Sequence, residues 1–255
     1  MPYQSIQIIP VPFDLDFAPG DDIGRLIVQA IMDNQVSLME HDIVVVTQKI
    51  VSKSEGRICS LSMVEPSKNA LELARKAKKD PRFVELVLLE SNRIVRCSEN
   101  VIISETKHGF VCANSGIDQS NVSGPENDEV LLLPVDPDLS ARRIKHVIEQ
   151  ALGRHIAVIM TDTFGRPFRV GQTNVAIGTC GMNSIKSYIG RRDMYGNILR
   201  ITEIAVADEI ASAAELVMGK INRVPVVIVR GYEFSSTPVG NARSLVRESG
   251  LDLFR

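Results

Sequence analysis

Apolar positions along the chain repeat with two periods, and the segments they mark are short. Ser5 to Val11 reads as a strand, followed by a loop rich in breakers at Pro10, Pro12, Pro19 and Gly20. Asp21 or Asp22 can cap a helix from Ile23 to about Asn34, with Ile23, Leu26, Ile27 and Ala30 on one face. Asp42 to Thr47 is a continuous apolar run of the kind buried in a sheet, and it continues into the polar stretch Gln48 to Arg57. Ser67 caps a helix through Lys78 with a basic end. Asp80-Pro81 opens another, Arg82 to Ser91, with Asp at the N-cap and Pro at the first helical position. Strands are expected at Arg93 to Cys97, Val101 to Thr106, Gly109 to Ala113 and Glu129 to Leu133. A turn-rich loop covers Asn114 to Asp128, and Ser140 is expected to cap a helix to Leu152.

The most pointed segment is Ile156 to Thr173. A strand-like run, Ile156 to Met160, ends in Thr161-Asp162-Thr163, and Gly165, Arg166, Pro167, Arg169, Gly171 and Gln172 follow. This reads as a loop at a strand's C-terminal edge that carries a carboxylate, a hydroxyl and two guanidiniums. A carboxylate with a hydroxyl suits a hard cation such as Mg²⁺, and paired arginines suit phosphate or carboxylate oxygens. A solvated, charged turn is the plain alternative. Farther on, Val175 to Ile177 and Ile185 to Ile189 read as strands, Arg192 to Asn197 as a turn, Glu209 to Met218 as an alanine-rich helix and Pro225 to Val229 as a strand. The tail from Gly231 is polar and is expected to be mobile. Strands and helices mix without regular alternation or repeat, which predicts an α+β fold. We read 1–255 as a single domain with two subdomains breaking near residues 91–100, the central part strand-rich and the flanks helical.

Bulk properties narrow the classes. The 255 residues suffice for a large core, and 44% hydrophobic with 24% charged residues is ordinary globular usage. A formal charge of −2 gives no basic footprint for extended nucleic-acid binding. No run is long enough for a transmembrane helix, and the first residues lack a secretory signal pattern. Cys59, Cys97, Cys112 and Cys180 form no CxxC pair, which fits buried thiols in a reducing cytoplasm.

Two further segments carry candidate chemistry. Asp118 lies in a run of small polar residues, where it either closes a local turn or joins Asp162 on one Mg²⁺ or Mn²⁺ ion. Gln48, Lys49, Lys53 and Arg57 follow a strand end, as a phosphate-binding loop or as a solvated basic edge. The chain has no P-loop, no GxGxxG after a strand, no metal spacing among His41, His108, His146 and His155, and no nucleophile signature. Asp208 and Glu209 are read as favourable charges in a helix's first turn.

Ordered blocks then carry a resemblance over about Ile6 to Gly231: PGDDI (19–23), VVVTQKIVSKSEGRI (44–58), DPRFVELVLLES (80–91), KHGFVCANSGIDQSNV (107–122), LLLPVDPDLSARRI (131–144), IMTDTFGRPFRVGQT (159–173), AIG (176–178), VADEIASAAELVMGK (206–220) and PVVIVRG (225–231). The chain resembles the coenzyme F420-0:L-glutamate ligases. The resemblance implies a reaction of GTP and L-glutamate with F420-0 that gives γ-linked glutamates, GDP and phosphate through an acyl phosphate. It also implies Mg²⁺ or Mn²⁺, help from K⁺, and a family-specific fold forming an intertwined two-fold dimer. By position, Asp118 and Asp162 resemble metal ligands, with Thr163 beside them. Gln48, Lys49, Lys53 and Asn121 resemble nucleotide contacts, although some members carry a serine at Gln48. Asp14, Leu15, Asp16 and Phe17 match a backbone segment along the nucleotide. So do Leu216, Val217, Met218, Gly219, Lys220, Ile221, Asn222 and Arg223, where Lys220 replaces an acid of some members.

We add two expectations of our own: that Arg166 or Arg169 neutralises the acyl phosphate, and that the Arg192 to Asn197 turn closes over it. The competing readings are an amide ligase with another acceptor or amino acid, and a non-catalytic GTP-binding regulator. Some members carry a second, reductase-like domain, so a chain stopping at Arg255 is expected to be the freestanding form.

Overall fold

A computed structural model describes residues 5–120, 122, 128–237 and 242–253. The N-terminal part supplies β1 (Gln7–Val11), α1 (Ile23–Asp33), β2 (Ile43–Thr47) and α2 (Gln48–Ser54). A middle part follows with β3 (Ile58–Ser60), α3 (Lys68–Ala77), α4 (Pro81–Leu89), β4 (Ser91–Ser98), β5 (Val101–Thr106), β6 (Val111–Ala113) and β7 (Glu129–Leu131). The remainder is α5 (Pro137–Leu152), β8 (Ala157–Arg166), β9 (Arg169–Met182), β10 (Lys186–Ser187), β11 (Glu203–Ile204), α6 (Val206–Met218), β12 (Val226–Arg230) and β13 (Ser236–Thr237).

The mixed α+β fold is organised by a six-stranded sheet in the order β1-β12-β2-β8-β9-β13. Among the described strands only β2 and β8 pair in parallel, with Thr47 opposite Thr161. Alternating side chains of these strands enter two cores. Val44, Val46, Val158 and Met160 pack under α1 and α5, while Ile43, Val45, Ala157 and Ile159 pack under α6. Burial on both faces explains why the strands read as unbroken apolar runs rather than as alternating ones. A third apolar cluster joins α3 and α4 to Ile102, Ile117, Val130 and Leu132 in the middle part, beside the three-stranded sheet β4-β5-β6. The break expected near 91–100 lies within β4 and the turn after it.

Helix caps follow sequence chemistry closely. Asp22, Ser67 and Asp80 each accept a backbone N–H of the first turn of α1, α3 and α4. At α5 the expected cap is corrected: the helix begins three residues before Ser140, with Asp136 accepting from Leu139 and Pro137 in the first turn. This repeats the Asp-Pro logic of Asp80-Pro81. The Ser140 hydroxyl instead donates to the Glu55 carboxylate.

Three other expectations are corrected. The stretch from Gln48 is a helix rather than a loop: Gln48, Ile50, Val51 and Ser52 are buried on its inner face, while Lys49 and Lys53 point into the cleft. The segment after Met160 is not irregular either. β8 runs on to Arg166 and returns as β9, a long hairpin with nine ladder pairs from Val158↔Cys180 to Arg166↔Arg169. Its turn uses Pro167 and a positive φ of 61° at Phe168. The described part of the tail is docked: β13 pairs with β9, and the N–H of buried Ala242 donates to Asp138 at 3.0 Å. Of the cysteines, Cys112 and Cys180 are buried, whereas Cys59 and Cys97 are half-buried.

Candidate active site

The parallel pairing of β2 and β8 creates the site. Their pairing ends with Thr47 opposite Thr161, where β2 stops and β8 runs on paired to β9 alone, so the residues after Thr47 and Thr161 come side by side at this edge. From β2 the chain turns into α2, which aims Lys49 and, one turn later, Lys53 into a cleft of about 1110 Å³. From β8 it presents Asp162 and Thr163 to the same space. Asp118 reaches it from a loop held by reciprocal backbone hydrogen bonds with Leu131 (2.9 and 2.8 Å). The cleft is large enough for a nucleotide and more.

The charges are arranged as a tight group. Lys49 Nζ lies 2.7 Å from Asp118 Oδ2 and also donates to the Ser120 hydroxyl at 2.7 Å and the Ser120 carbonyl at 3.1 Å. Burial opposes the charge on Asp118, but the hydrogen bond and charge of Lys49, with the Ser120 N–H, outweigh it and hold the carboxyl below its usual value. Asp162 behaves in the opposite sense. Burial pushes its carboxyl up to about 7, and the neighbouring Asp118 charge adds to this against the Thr163 N–H and Lys49. Two neighbouring carboxylates, one of them buried, cannot both ionise easily without added positive charge. Lys49 supplies part of it and marks where a cation belongs.

Thr163 is engaged by protein groups: its hydroxyl donates to Asn174 Oδ1 at 2.7 Å and accepts from Lys220 Nζ at 2.7 Å. Lys220 also pairs with Glu215 at 2.8 Å. The donor set is therefore hard oxygen, which suits Mg²⁺ or Mn²⁺. Among the described residues no cluster of three or more His, Cys, Asp or Glu could hold a metal alone. Such an ion would need further oxygens from phosphate or water, the usual condition of Mg²⁺ at a nucleotide.

Arg223 fastens the remaining wall. It donates to the carbonyls of Phe13 (3.3 Å) and Leu15 (3.2 Å) and pairs with Asp16 at 3.0 Å. The two segments expected along a nucleotide are thus clipped together across the chain. Leu15, Asp16, Phe17, Met218, Gly219, Lys220, Ile221 and Arg223 line the cleft, while Asp14, Leu216, Val217 and Asn222 do not. Gln48 is wholly buried and lies outside the lining. Arg166 and Arg169 sit at the hairpin tip, also outside it, with the Arg166 guanidinium turned to the Val170 carbonyl at 3.0 Å. The Arg192 to Asn197 turn is likewise absent from the lining and is closed on itself by Asp193, which accepts from the Tyr195 and Asn197 N–H groups at 2.9 and 2.8 Å. Asn121 lies outside the described residues.

Sequence reading missed Asn174, Glu215 and Cys112, all on the cleft wall. None of the three carries a motif that the sequence alone would single out. Burial pushes the Cys112 thiol up to about 12, so it remains protonated and is no nucleophile at neutral pH.

Comparison with known proteins gives the family. The model of the F420-0:Gamma-glutamyl ligase family matches residues 16–231. A coenzyme F420:L-glutamate ligase of Methanothermobacter thermautotrophicus is 47% identical over 238 residues, covering 92% of this chain and 93% of the relative. The enzyme of that name in Methanocaldococcus jannaschii is 43% identical over 224 residues, 87% of each chain. The one in Methanopyrus kandleri is 42% identical over 256 residues, 98% of each. The family match over 16–231 and relatives of this identity and coverage show that the chain belongs to the F420-0:gamma-glutamyl ligase family and is a ligase.

Proposed function

We propose that this chain joins L-glutamate to coenzyme F420-0 through γ-linked amide bonds, with GTP as the phosphoryl donor. The observation that carries the reading is the group of Asp118, Asp162 and Lys49 at one end of the cleft, with Lys53 one helical turn away. In the proposed path a carboxylate oxygen of the acceptor attacks the γ-phosphorus of GTP. The bond to GDP breaks, and an acyl phosphate forms. The glutamate amine then attacks the acyl carbon, phosphate departs with the carbon–oxygen electron pair, and the nitrogen loses its proton as the amide forms. Phosphoryl transfer asks the protein mainly for positioning and positive charge. Lys53 lies in the cleft with no ion-pair partner among the described residues and suits the terminal phosphates. Asp118 and Asp162 would hold Mg²⁺ or Mn²⁺, which neutralises phosphate charge when bound. A K⁺ ion belongs to the same proposal. The protonated Cys112 leaves no need for a protein nucleophile.

The two-fold dimer is also part of this proposal. Its support is exposed apolar surface: Phe168 and Val170 at the hairpin tip are 89% and 99% exposed, and Met194, Tyr195 and Ile201 stand out from the segment after β10. Singly exposed apolar residues are common, but Phe168 and Val170, both on one hairpin tip, suit an interface. In a dimer the tip would carry Arg166 and Arg169 toward the second copy, the setting in which they could meet an acyl phosphate.

The test is phosphate release from GTP with Mn²⁺, with and without F420-0 and L-glutamate, followed by mass analysis of the acceptor. Release that requires both substrates, with glutamate-sized mass increments, is expected. Tight GTP binding without acceptor-dependent turnover would sink the proposal and favour another acceptor or a regulatory role.

A further inference from the structure

Gln48 is wholly buried beneath the cleft. A buried primary amide has both a carbonyl oxygen and an NH₂ group to satisfy. The oxygen is accounted for: Oε1 accepts from the hydroxyl of buried Ser52 at 2.7 Å, one turn along α2. The nitrogen is not, for Nε2 is buried with no partner in hydrogen-bond geometry. A buried orphan donor is costly and asks for an explanation.

Register supplies one. Thr47 lies opposite Thr161 in the parallel pair, so Gln48 and Asp162 are the next residues along the two adjacent segments, just past the last β2–β8 pair. The Asp162 carboxylate is the acceptor beside the Gln48 amide, and its charge is eased by that amide. The opposite amide orientation would set Oε1 against the carboxylate, two acceptors facing each other, and Ser52 could satisfy either arrangement.

We propose that Gln48 is a positioning residue: its buried N–H fixes one oxygen of Asp162 and leaves the other to share a divalent cation with Asp118, while Ser52 fixes the amide. This rests on the cation reading of Asp118 and Asp162 above, and it moves Gln48 from the nucleotide to the metal. Outer partners of metal ligands are typically worth about 10–100-fold in metal affinity.

The test is Mn²⁺ binding to the full chain without GTP or acceptor, read by electron paramagnetic resonance of free Mn²⁺. Parent protein should bind and Asp162→Asn should not. Gln48→Met keeps the side-chain volume but loses the donor, and should weaken Mn²⁺ binding by about tenfold or more with the melting temperature unchanged. Ser52→Ala should weaken it less, and Ser52→Thr, which keeps the hydroxyl, should restore parental affinity. Parental Mn²⁺ affinity in Gln48→Met would overturn the proposal alone. If Gln48→Met does not fold, Ser52→Ala decides: weakened binding upholds the proposal and parental binding overturns it. Failure of the parent to bind Mn²⁺ would overturn the cation site itself, and this role with it.

Discussion

Replacing Asp162 with asparagine should make the metal-free protein more stable at neutral and alkaline pH while destroying its cation site. Burial, with the Asp118 charge, carries this carboxyl from 3.8 to about 7. Its folded-state pKa is therefore raised above the unfolded one. Between about pH 4 and pH 7 the native state holds a proton that the unfolded chain has released, so stability falls as pH rises through that window and is level above it. At about 1.4 kcal/mol per pH unit the full span corresponds to about 4 kcal/mol, an upper figure because Lys49 and cleft water can readjust. An asparagine has no proton to lose and escapes this cost. We expect a gain of about 2–4 kcal/mol at pH 8, or about 5–15 °C in melting temperature for a domain of this size, shrinking to nothing near pH 4. The assay is calorimetry in EDTA across pH 4–8. Mn²⁺ at pH 8 should then stabilise the parent and leave the variant unmoved. Equal melting of parent and variant at pH 8, or an equal gain at pH 4, would refute the argument that Asp162 ionises at a cost.

Other substitutions test separate parts of the structure. Lys220→Met releases both Thr163 and Glu215 and removes a positive charge, so Mn²⁺ titration should show affinity several-fold higher than the parent's. Arg230→Met leaves Asp42, only 1% exposed, without its 2.7 Å partner, and denaturant unfolding should register a loss of about 3–5 kcal/mol, largely recovered by adding Asp42→Asn. A Cβ at Gly178 would stand 2.4 Å from the Pro137 carbonyl oxygen, so Gly178→Ala should cost about 1–3 kcal/mol in the same assay by displacing the start of α5. Val170→Glu places charge on the exposed hairpin tip and should shift sedimentation from dimer to monomer without lowering the melting temperature of the single chain.

Much of this molecule is legible in its sequence where the signal is local. Asp22, Ser67 and Asp80 cap the helices their positions announce, and the runs at Ile43 and Ala157 are the central strands. Local signals fail where the deciding partner is distant. Asp162 and its neighbours look irregular alone, yet ladder bonds from Thr173 to Val175 hold them in β8. Gln48 looks like a polar surface residue, but α2 folds it under the cleft. The site shows the same division. Asp118 and Asp162 could be picked out as candidates, but their meeting depends on a pairing across more than a hundred residues. Glu215 and Asn174 had no motif to reveal them. The arginines at 166 and 169 read as site residues by adjacency to Asp162, whereas the extended hairpin carries them out of the single-chain cleft.

The strand order of the central sheet has a consequence for the growing chain. β2 lies between β8 and β12, and β12 is in turn the partner of β1. During synthesis β2 waits for β8 on one side and, on the other, for a strand that ends only at Arg230. Until then the segment IVVVT keeps a bare hydrogen-bonding edge, and so does β1. Folding of this sheet is thus completed from both termini at once, by long-range closures that are slow to form. A ribosome stalled before Val226 would hold a chain already carrying Asp118 and Asp162 but unable to close its sheet. Such a chain would be prone to aggregation rather than partly active.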